Sequence, residues 1–240
     1  MAGDHIAYGL PLFIYLALFI AYSLFLFYGS YFVSSDFFMR VICSGKTGEK
    51  EIALSFDDGP ALSYTPEILD LLGKYDVKAA FFCIGNRIAG NESLLRRLHE
   101  EGHLIGNHSY SHHFWFDLLS AEKMSADLQM MDEATEKVTG LRPHLFRPPY
   151  GVTNPNLKKA IEKGNYIPVG WSIRSMDTVI SDETKLLSKV TKAVKPGAIL
   201  LFHDTSKTTL AILPSFIKHA RESGFKIVRL DKLLKLKAYV

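Results

Sequence analysis

The sequence predicts an α/β chain built on a parallel sheet, and three observations carry that prediction. Seven short apolar runs alternate with helix-like segments after residue 50, an uncharged stretch stands apart near the N-terminus, and titratable residues recur where the apolar runs end. The 240 residues are 48% hydrophobic and 22% charged, with 17 Gly and 10 Pro, which excludes disordered and collagen-like classes. Lys and Arg total 28 against 25 Asp and Glu, and no basic block appears, so no nucleic-acid partner is expected. With Cys43 and Cys83 as the only cysteines, neither a disulfide framework nor a four-cysteine zinc site forms, and a metal must use His and carboxylate.

The N-terminal element comes first. No Asp, Glu, Lys or Arg occurs from Ile6 to Ser35, and Gly9–Val33 is dense in Leu, Phe, Ile and Tyr. A bilayer core needs about 20 apolar residues as helix, so a short segment 1–9 and one transmembrane helix over 10–33 are expected. The run lacks a positive flank before it and exceeds the roughly 7–15 apolar residues of a cleaved signal, which favours an uncleaved anchor. Arg40, Lys46 and Lys50 follow the span, and the positive-inside rule alone would leave the rest of the chain in the cytoplasm. Residues 34–50 read as a linker and 51–240 as one catalytic domain.

Within that domain the apolar runs are 52–56, 79–85, 104–108, 145–151, 167–173, 198–204 and 226–230. Between them, Thr65 and Pro66 offer an N-cap and a first-turn proline. Ser120 caps a long helix ending at Gly140, and Asn154 with Pro155 opens another that stops at Gly164. Strands alternating with helices imply a parallel sheet, either open or closed into a barrel. In such folds the loops at C-terminal strand ends converge on one face. Asp57 and Asp58 follow the first run, His108 and His112 the third, and Arg147 lies in the fourth. Asp177 lies just past the fifth, and His203 and Asp204 end the sixth.

The spacing of His108 and His112 brings two imidazoles onto one face if the chain turns helically there. Two imidazoles and one carboxylate form a facial set that leaves positions open for water and substrate, although His113 beside them makes the assignment ambiguous. Side chains of Asp57 and Asp58 diverge at a strand end, so the two divide the labour. One binds the metal and the other takes a proton from its water. Taken locally, Asp58-Gly59-Pro60 also fits a solvated turn.

SFDDGP at 55–60, NHSYSH at 107–112, RPPYG at 147–151 and LFHD at 201–204 occur in that order. They resemble the motifs of the polysaccharide deacetylase family, the NodB-homology domain or carbohydrate esterase family 4, over about residues 50–235. The resemblance implies a distorted (β/α) barrel of about seven parallel strands and a metal-dependent hydrolase that removes acetyl groups from N-acetylated sugars. It implies Asp57 as general base and Asp58, His108 and His112 as ligands of one divalent metal. Zinc suits that set best, and cobalt, nickel, iron and manganese are acceptable to it. It further implies that Arg147 orients Asp57, that the Tyr150 N–H contributes to holding the oxyanion, and that Leu201 borders the acetyl methyl. His203 becomes the general acid with Asp177 as its partner, the carboxylate keeping the imidazole protonated.

In one place the sequence departs from the family pattern. WSIRSMDT puts Arg174 and Thr178 where the family often carries Asp and Trp, so an aromatic wall on the sugar side is missing. Trp171, Trp115 and Phe114 are candidates to replace it, with ordinary packing as the alternative. Arg174 is read as a surface residue in preference to a contact with an anionic substrate group.

The implied substrate is an N-acetylhexosamine polysaccharide of the cell envelope, whether peptidoglycan, chitin-like or an exopolysaccharide. Such a substrate lies outside the cytoplasmic membrane, which places the domain outside against the charge bias. The alternatives are an O-acetyl esterase and a non-catalytic glycan-binding protein on the same fold. No protein partner is inferable. Cys83 reads as a buried hydrophobe and Cys43 as a free thiol near the membrane. His5, His99, His103, His144 and His219 have no partner in the sequence.

Overall fold

The computed structural model describes residues 11–240; the segment 1–9 and His5 lie outside the described residues. Helix α1, Leu12–Tyr31, is apolar on every side and stands almost wholly exposed, with 6% of its most apolar window buried. It is long and apolar enough to cross a membrane.

The sheet begins with β1, Glu51–Asp57, and continues with β2, Ala80–Cys83, and β3, Leu104–Asn107. Two-residue strands follow as β4, Leu145–Phe146, β5, Ile167–Pro168, and β6, Ile173–Arg174. β7, Ile199–His203, and β8, Lys226–Ile227, complete it. The spatial order is β5-β4-β3-β2-β1-β7-β6, every pairing is parallel, and β8 joins the start of β1. This is the expected α/β class: seven parallel strands follow one another in a curled half-barrel, a distorted barrel open between β5 and β6, and β8 adds an eighth parallel strand beside β1.

Strand alternation sorts the side chains. Ile52, Leu54 and Phe56 of β1, Phe81 and Cys83 of β2, and Leu200 and Phe202 of β7 face outward into the main hydrophobic cluster. There they meet helices α2, Thr65–Lys74, α3, Glu92–Glu100, α6, Glu183–Ala193, and α7, Lys207–Glu222. Ala53, Phe82, Leu104, Leu145 and Ile199 face inward, and α8, Leu230–Leu234, caps that inner cluster with Leu230 and Leu233. The interior is narrow enough that a Cβ on Gly106 would lie 2.5 Å from the Phe82 ring. A third cluster joins α4, Ala121–Thr139, and α5, Pro155–Gly164, to the sheet through Leu128, Phe146 and Leu157.

The helix signals hold with one displacement. Ser120 caps α4 by accepting from the Lys123 N–H, α4 ends at left-handed Gly140, and Asn154 caps α5 by accepting from the Leu157 N–H at 2.8 Å. Thr65, expected as an N-cap, is instead the first helical residue of α2. Its hydroxyl accepts from the Ala61 N–H and donates to Asp204 at 2.6 Å, so it serves a buried carboxylate in place of its own helix end.

The run 167–173 corrects a second expectation, that it forms one strand. It makes β5 and β6, which occupy opposite edges of the sheet, and residues 169–172 cross between them. Gly170 permits the crossing, because a Cβ there would lie 2.8 Å from the Cys43 sulfur. The segment before β1 helps close the gap. Ile42 exchanges hydrogen bonds of 3.0 Å with Pro168 and Gly170, and Gly45 N–H donates to the Gly197 carbonyl at 2.8 Å. Val33, Met39 and Val41 are buried beside Phe116 and Phe146.

These residues make a folding prediction. A chain beginning at Gly45 loses three buried apolar side chains, each worth about 1.5–3 kcal/mol. It is therefore expected to unfold at lower denaturant than one beginning at Val33, by about 5 kcal/mol in urea titration.

Candidate active site and metal centre

The C-terminal strand ends surround a cavity of about 210 Å³ lined by Asp57, Asp58, His108, His112, Tyr150, Leu201 and His203, with Trp171, Arg174 and Thr178 at its wall. A larger depression of about 400 Å³ between Met39 and Tyr166 holds no comparable convergence of titratable groups.

Arg147 lies directly behind the cavity and is wholly buried. Its guanidinium donates to Asp57 Oδ1 at 2.7 Å, Ser55 Oγ at 2.9 Å, Val169 C=O at 3.1 Å and Gly170 C=O at 2.8 Å. The Phe82 ring lies 4.0 Å beneath it. A buried charge is tolerated only when paired and hydrogen-bonded, and these four acceptors meet that demand. Burial lowers the Arg147 pKa, while the charge and hydrogen bond of Asp57 oppose the shift.

Asp58 turns the other way because its backbone is left-handed, with φ 78°. Its Oδ1 lies 3.7 Å from His108 Nε2 and 3.5 Å from His112 Nε2. The three ligand atoms lie within 4.8 Å of one another, and among the described residues this is the one cluster able to hold a metal. His108 Nδ1 is 2.8 Å from the Arg147 carbonyl, to which it donates, leaving Nε2 free as an electron-pair donor. Burial, followed by the neighbouring His108, lowers the His112 pKa to about 4, so this imidazole is neutral and able to coordinate. The donor set therefore fits a divalent cation with open positions. The helical turn expected between the histidines is absent, since Ser109 and His112 have φ of 67° and 43°. The His112 N–H donates to Ser109 Oγ at 3.0 Å, and this left-handed loop sets the rings 4.9 Å apart. His113 takes no part in the cluster, its Nδ1 accepting from the Trp115 N–H.

On the opposite wall, His203 Nδ1 meets Asp177 Oδ1 at 2.7 Å, and its backbone N–H donates to Asp177 Oδ2 at 2.7 Å. Ser175 and Thr209 hydroxyls donate to the same carboxylate. Burial alone would depress the His203 pKa, but the Asp177 hydrogen bond and charge outweigh it, and Asp57 and Asp58 add to them, raising it to about 8. Asp177 is lowered despite its burial, by the same contact with His203. Tyr150 sits at φ 59°, so backbone strain gathers around the cavity at Asp58, Ser109, His112 and Tyr150.

Several contributors escaped the sequence analysis. Ser55 bridges Arg147 to the Leu200 carbonyl at 2.8 Å, and Asn107 accepts from the Ser109 N–H that starts the histidine loop. Asp204, grouped in the sequence with the strand-end residues, does not line the cavity: it is wholly buried, accepts from Thr65, and is pushed up by burial to about 7. It packs so close to Gly59 that a Cβ there would lie 2.0 Å from its oxygen. Strand alternation, which faces His203 and Asp204 oppositely, was the available signal. Arg174, read as a surface residue, is exposed and also borders the cavity, its guanidinium 5.9 Å from the Trp171 ring. Phe114 and Trp115 are exposed at the rim, with Phe114 edge-on to Tyr150 at 6.3 Å.

The family model for polysaccharide deacetylases matches residues 44–169. The peptidoglycan-N-acetylglucosamine deacetylase PgdA of Listeria monocytogenes is 35% identical over 184 residues, 77% of this chain. The chain spans only 39% of that relative's length. The peptidoglycan-N-acetylmuramic acid deacetylase PdaA of Bacillus subtilis is 33% identical over 194 residues, covering 79% of this chain and 73% of PdaA. Among solved structures, the Bc1960 peptidoglycan N-acetylglucosamine deacetylase superposes with a TM-score of 0.78 at 30% identity, covering 82% of this chain and 94% of that one.

Because Asp177 is what holds His203 above its ordinary value, Asp177→Asn is expected to lower the His203 pKa from about 8 to below 6.5 in metal-free protein. NMR titration of the imidazole reads the shift, and an unchanged midpoint would refute this cause.

Proposed function

The chain belongs to the polysaccharide deacetylase family, and from that premise we propose that it hydrolyses N-acetyl groups of N-acetylhexosamine units in a cell-envelope polysaccharide, with peptidoglycan as the substrate its relatives favour. One observation carries the reading. Asp57 paired with Arg147 and His203 paired with Asp177 face each other across a cavity that also holds Asp58, His108 and His112. A divalent cation on those three ligands, zinc being the one the donors suit best, supplies an acidified water and polarises the acetyl carbonyl.

The chain's own groups do the rest. An amide is a weak electrophile with a poor leaving group, so water must be deprotonated, the oxyanion held and the amine protonated. Asp57 accepts the proton of the attacking water, and Arg147 fixes that carboxylate in its acceptor orientation. The Tyr150 N–H, presented by its left-handed backbone, serves the developing oxyanion. Leu201 offers an apolar surface to the acetyl methyl. His203, kept protonated to about pH 8 by Asp177, donates to the departing amine. An ester's alkoxide needs that proton less, so the imidazolium is the feature that favours amide over O-acetyl cleavage.

The cavity wall refines the substrate. Arg174 forms no ion pair among the described residues and stands in register with Leu201 across β6 and β7. An N-acetylmuramic unit carries a lactyl carboxylate on the ring carbon next to the acetamido carbon. A cation beside the methyl surface suits that anionic neighbour, as for the substrate named for PdaA. Helix α1 is read as a membrane anchor with the catalytic domain on the outer side, where such polymers lie.

Three outcomes are expected. Full-length protein in detergent, stripped by chelator, releases acetate from N-acetylglucosamine oligomers only after zinc or cobalt is restored. Asp57→Asn lowers that activity by about 10²–10⁴, and unaltered activity would refute the mechanism. Arg174→Gln lowers kcat/KM on muramic-containing oligomers relative to neutral ones by about tenfold, a loss of about 1.4 kcal/mol; an unchanged ratio would refute the anionic contact.

A further inference from the structure

The end of α1 is fastened to the active-site loop. At 1.5 Å per residue, its 20 residues span about 30 Å, the thickness of a hydrocarbon core. Its last turn carries an aromatic belt, with Phe27 stacked on Tyr31 at 5.1 Å and Tyr28 against Phe32 at 5.0 Å. Such residues settle at the membrane–water boundary. Within that same turn the Thr153 N–H donates to the Ser30 carbonyl at 2.9 Å, and the Thr153 hydroxyl donates to the Gly29 carbonyl at 3.3 Å. Thr153 is 2% exposed, and Phe37 packs so closely on Gly29 that a Cβ there would lie 2.5 Å away. The catalytic domain is therefore docked directly on the helix end.

Depth follows from that docking. Groups hydrogen-bonded to Gly29 and Ser30 share the depth of the belt. Thr153 stands three residues after Tyr150, so the cavity wall is within about 10 Å of it. On the other side, Asn154 Nδ2 donates to the Asp117 carbonyl at 2.7 Å. Asp117 belongs to a loop that holds Phe114, Trp115 and Leu118 out to solvent at 66%, 56% and 70% exposure. Phe114, Trp115 and Leu118 thus form an apolar ridge on a segment bonded to the one docked on the helix end, and Phe114 meets the Tyr150 wall of the cavity at 6.3 Å. Single exposed apolar residues are ordinary, but three large ones within five positions, beside the segment docked on a bilayer-length helix, are not.

We propose that loop 114–118 is a second membrane contact at headgroup depth. It holds the Tyr150 wall of the cavity at the membrane surface, so the enzyme takes N-acetylhexosamine glycan presented there on a lipid in preference to glycan free in solution. The inference rests on the anchor reading of α1. Trp115 supplies the amphipathic ring that interfaces favour, and Phe114 and Leu118 the apolar wedge.

The chain has two tryptophans, so Trp171→Phe leaves Trp115 as sole reporter. Full-length Trp171→Phe protein is reconstituted into phosphatidylcholine vesicles brominated near the headgroup end of the acyl chains. At least twofold quenching of Trp115 is expected, with protection from aqueous acrylamide. Protein that floats with the vesicles but shows no quenching overturns this inference alone. Protein that does not float overturns the anchor reading and this inference together. Trp115 emission that responds to soluble N-acetylglucosamine oligomers but not to bromolipid makes the ridge a sugar platform and also overturns it. A second variant, Phe114→Ser with Trp115→Ser and Leu118→Ser, is assayed on an N-acetylglucosamine tetramer coupled to a dialkyl lipid in vesicles and on the free tetramer. The ratio of kcat/KM for the vesicle-borne over the free tetramer is expected to fall at least fivefold; an unchanged ratio contradicts the proposal.

Discussion

The buried pairing of Arg147 with Asp57 is the constraint around which the rest of the molecule is arranged. A guanidinium with no exposure is stable only if its fork finds acceptors on several sides. Here they come from β1, through Ser55 and Asp57, and from the 169–170 crossing that joins the two sheet edges. One side chain from the end of β4 therefore ties the first strand to the closure of the barrel and aims the carboxylate that faces the cavity. Its backbone carbonyl also receives His108 Nδ1, which fixes the tautomer of an imidazole in the Asp58, His108 and His112 cluster. Scaffold, cavity carboxylate and clustered imidazole thus share one partner residue.

The two groups that face each other across the cavity have partners of opposite charge. Asp57 lies against a cation, and His203 lies against the carboxylate of Asp177, which is itself held by Ser175 and Thr209. The Asp177 contact raises the His203 pKa to about 8, so the imidazole keeps its proton near neutral pH. Left-handed backbone at Asp58, Ser109, His112 and Tyr150 aims the remaining groups. That strain is localised where a regular strand or helix would have pointed the side chains elsewhere.

Much of this was legible in the sequence, because it depends on local pattern. Apolar runs marked β1, β2, β3 and β7, the capping residues marked α4 and α5, and polar residues at strand ends marked the cavity. What escaped depends on contacts between distant segments. The split of the run 167–173 between opposite sheet edges follows from barrel closure and from Ile42 filling the gap, neither of which leaves a periodic trace. The left-handed histidine loop was read as a helical turn because both geometries satisfy the same spacing. Thr65 looked like a cap until Asp204, 139 positions away, claimed its hydroxyl. Arg174 was legible as an exposed charge, but its place at the cavity depends on the β6–β7 register, which leaves no trace in the sequence.

If Arg147 organises both scaffold and base, its energetic link to Asp57 must be large and non-additive. The decisive measurement is a double-mutant cycle of Arg147→Met and Asp57→Asn by urea unfolding. Arg147→Met alone strands a buried carboxylate and is expected to destabilise by about 3–5 kcal/mol. Adding Asp57→Asn should restore much of that loss, giving a coupling of at least about 2 kcal/mol. Single-mutant effects that sum to the double within about 0.5 kcal/mol would contradict the account.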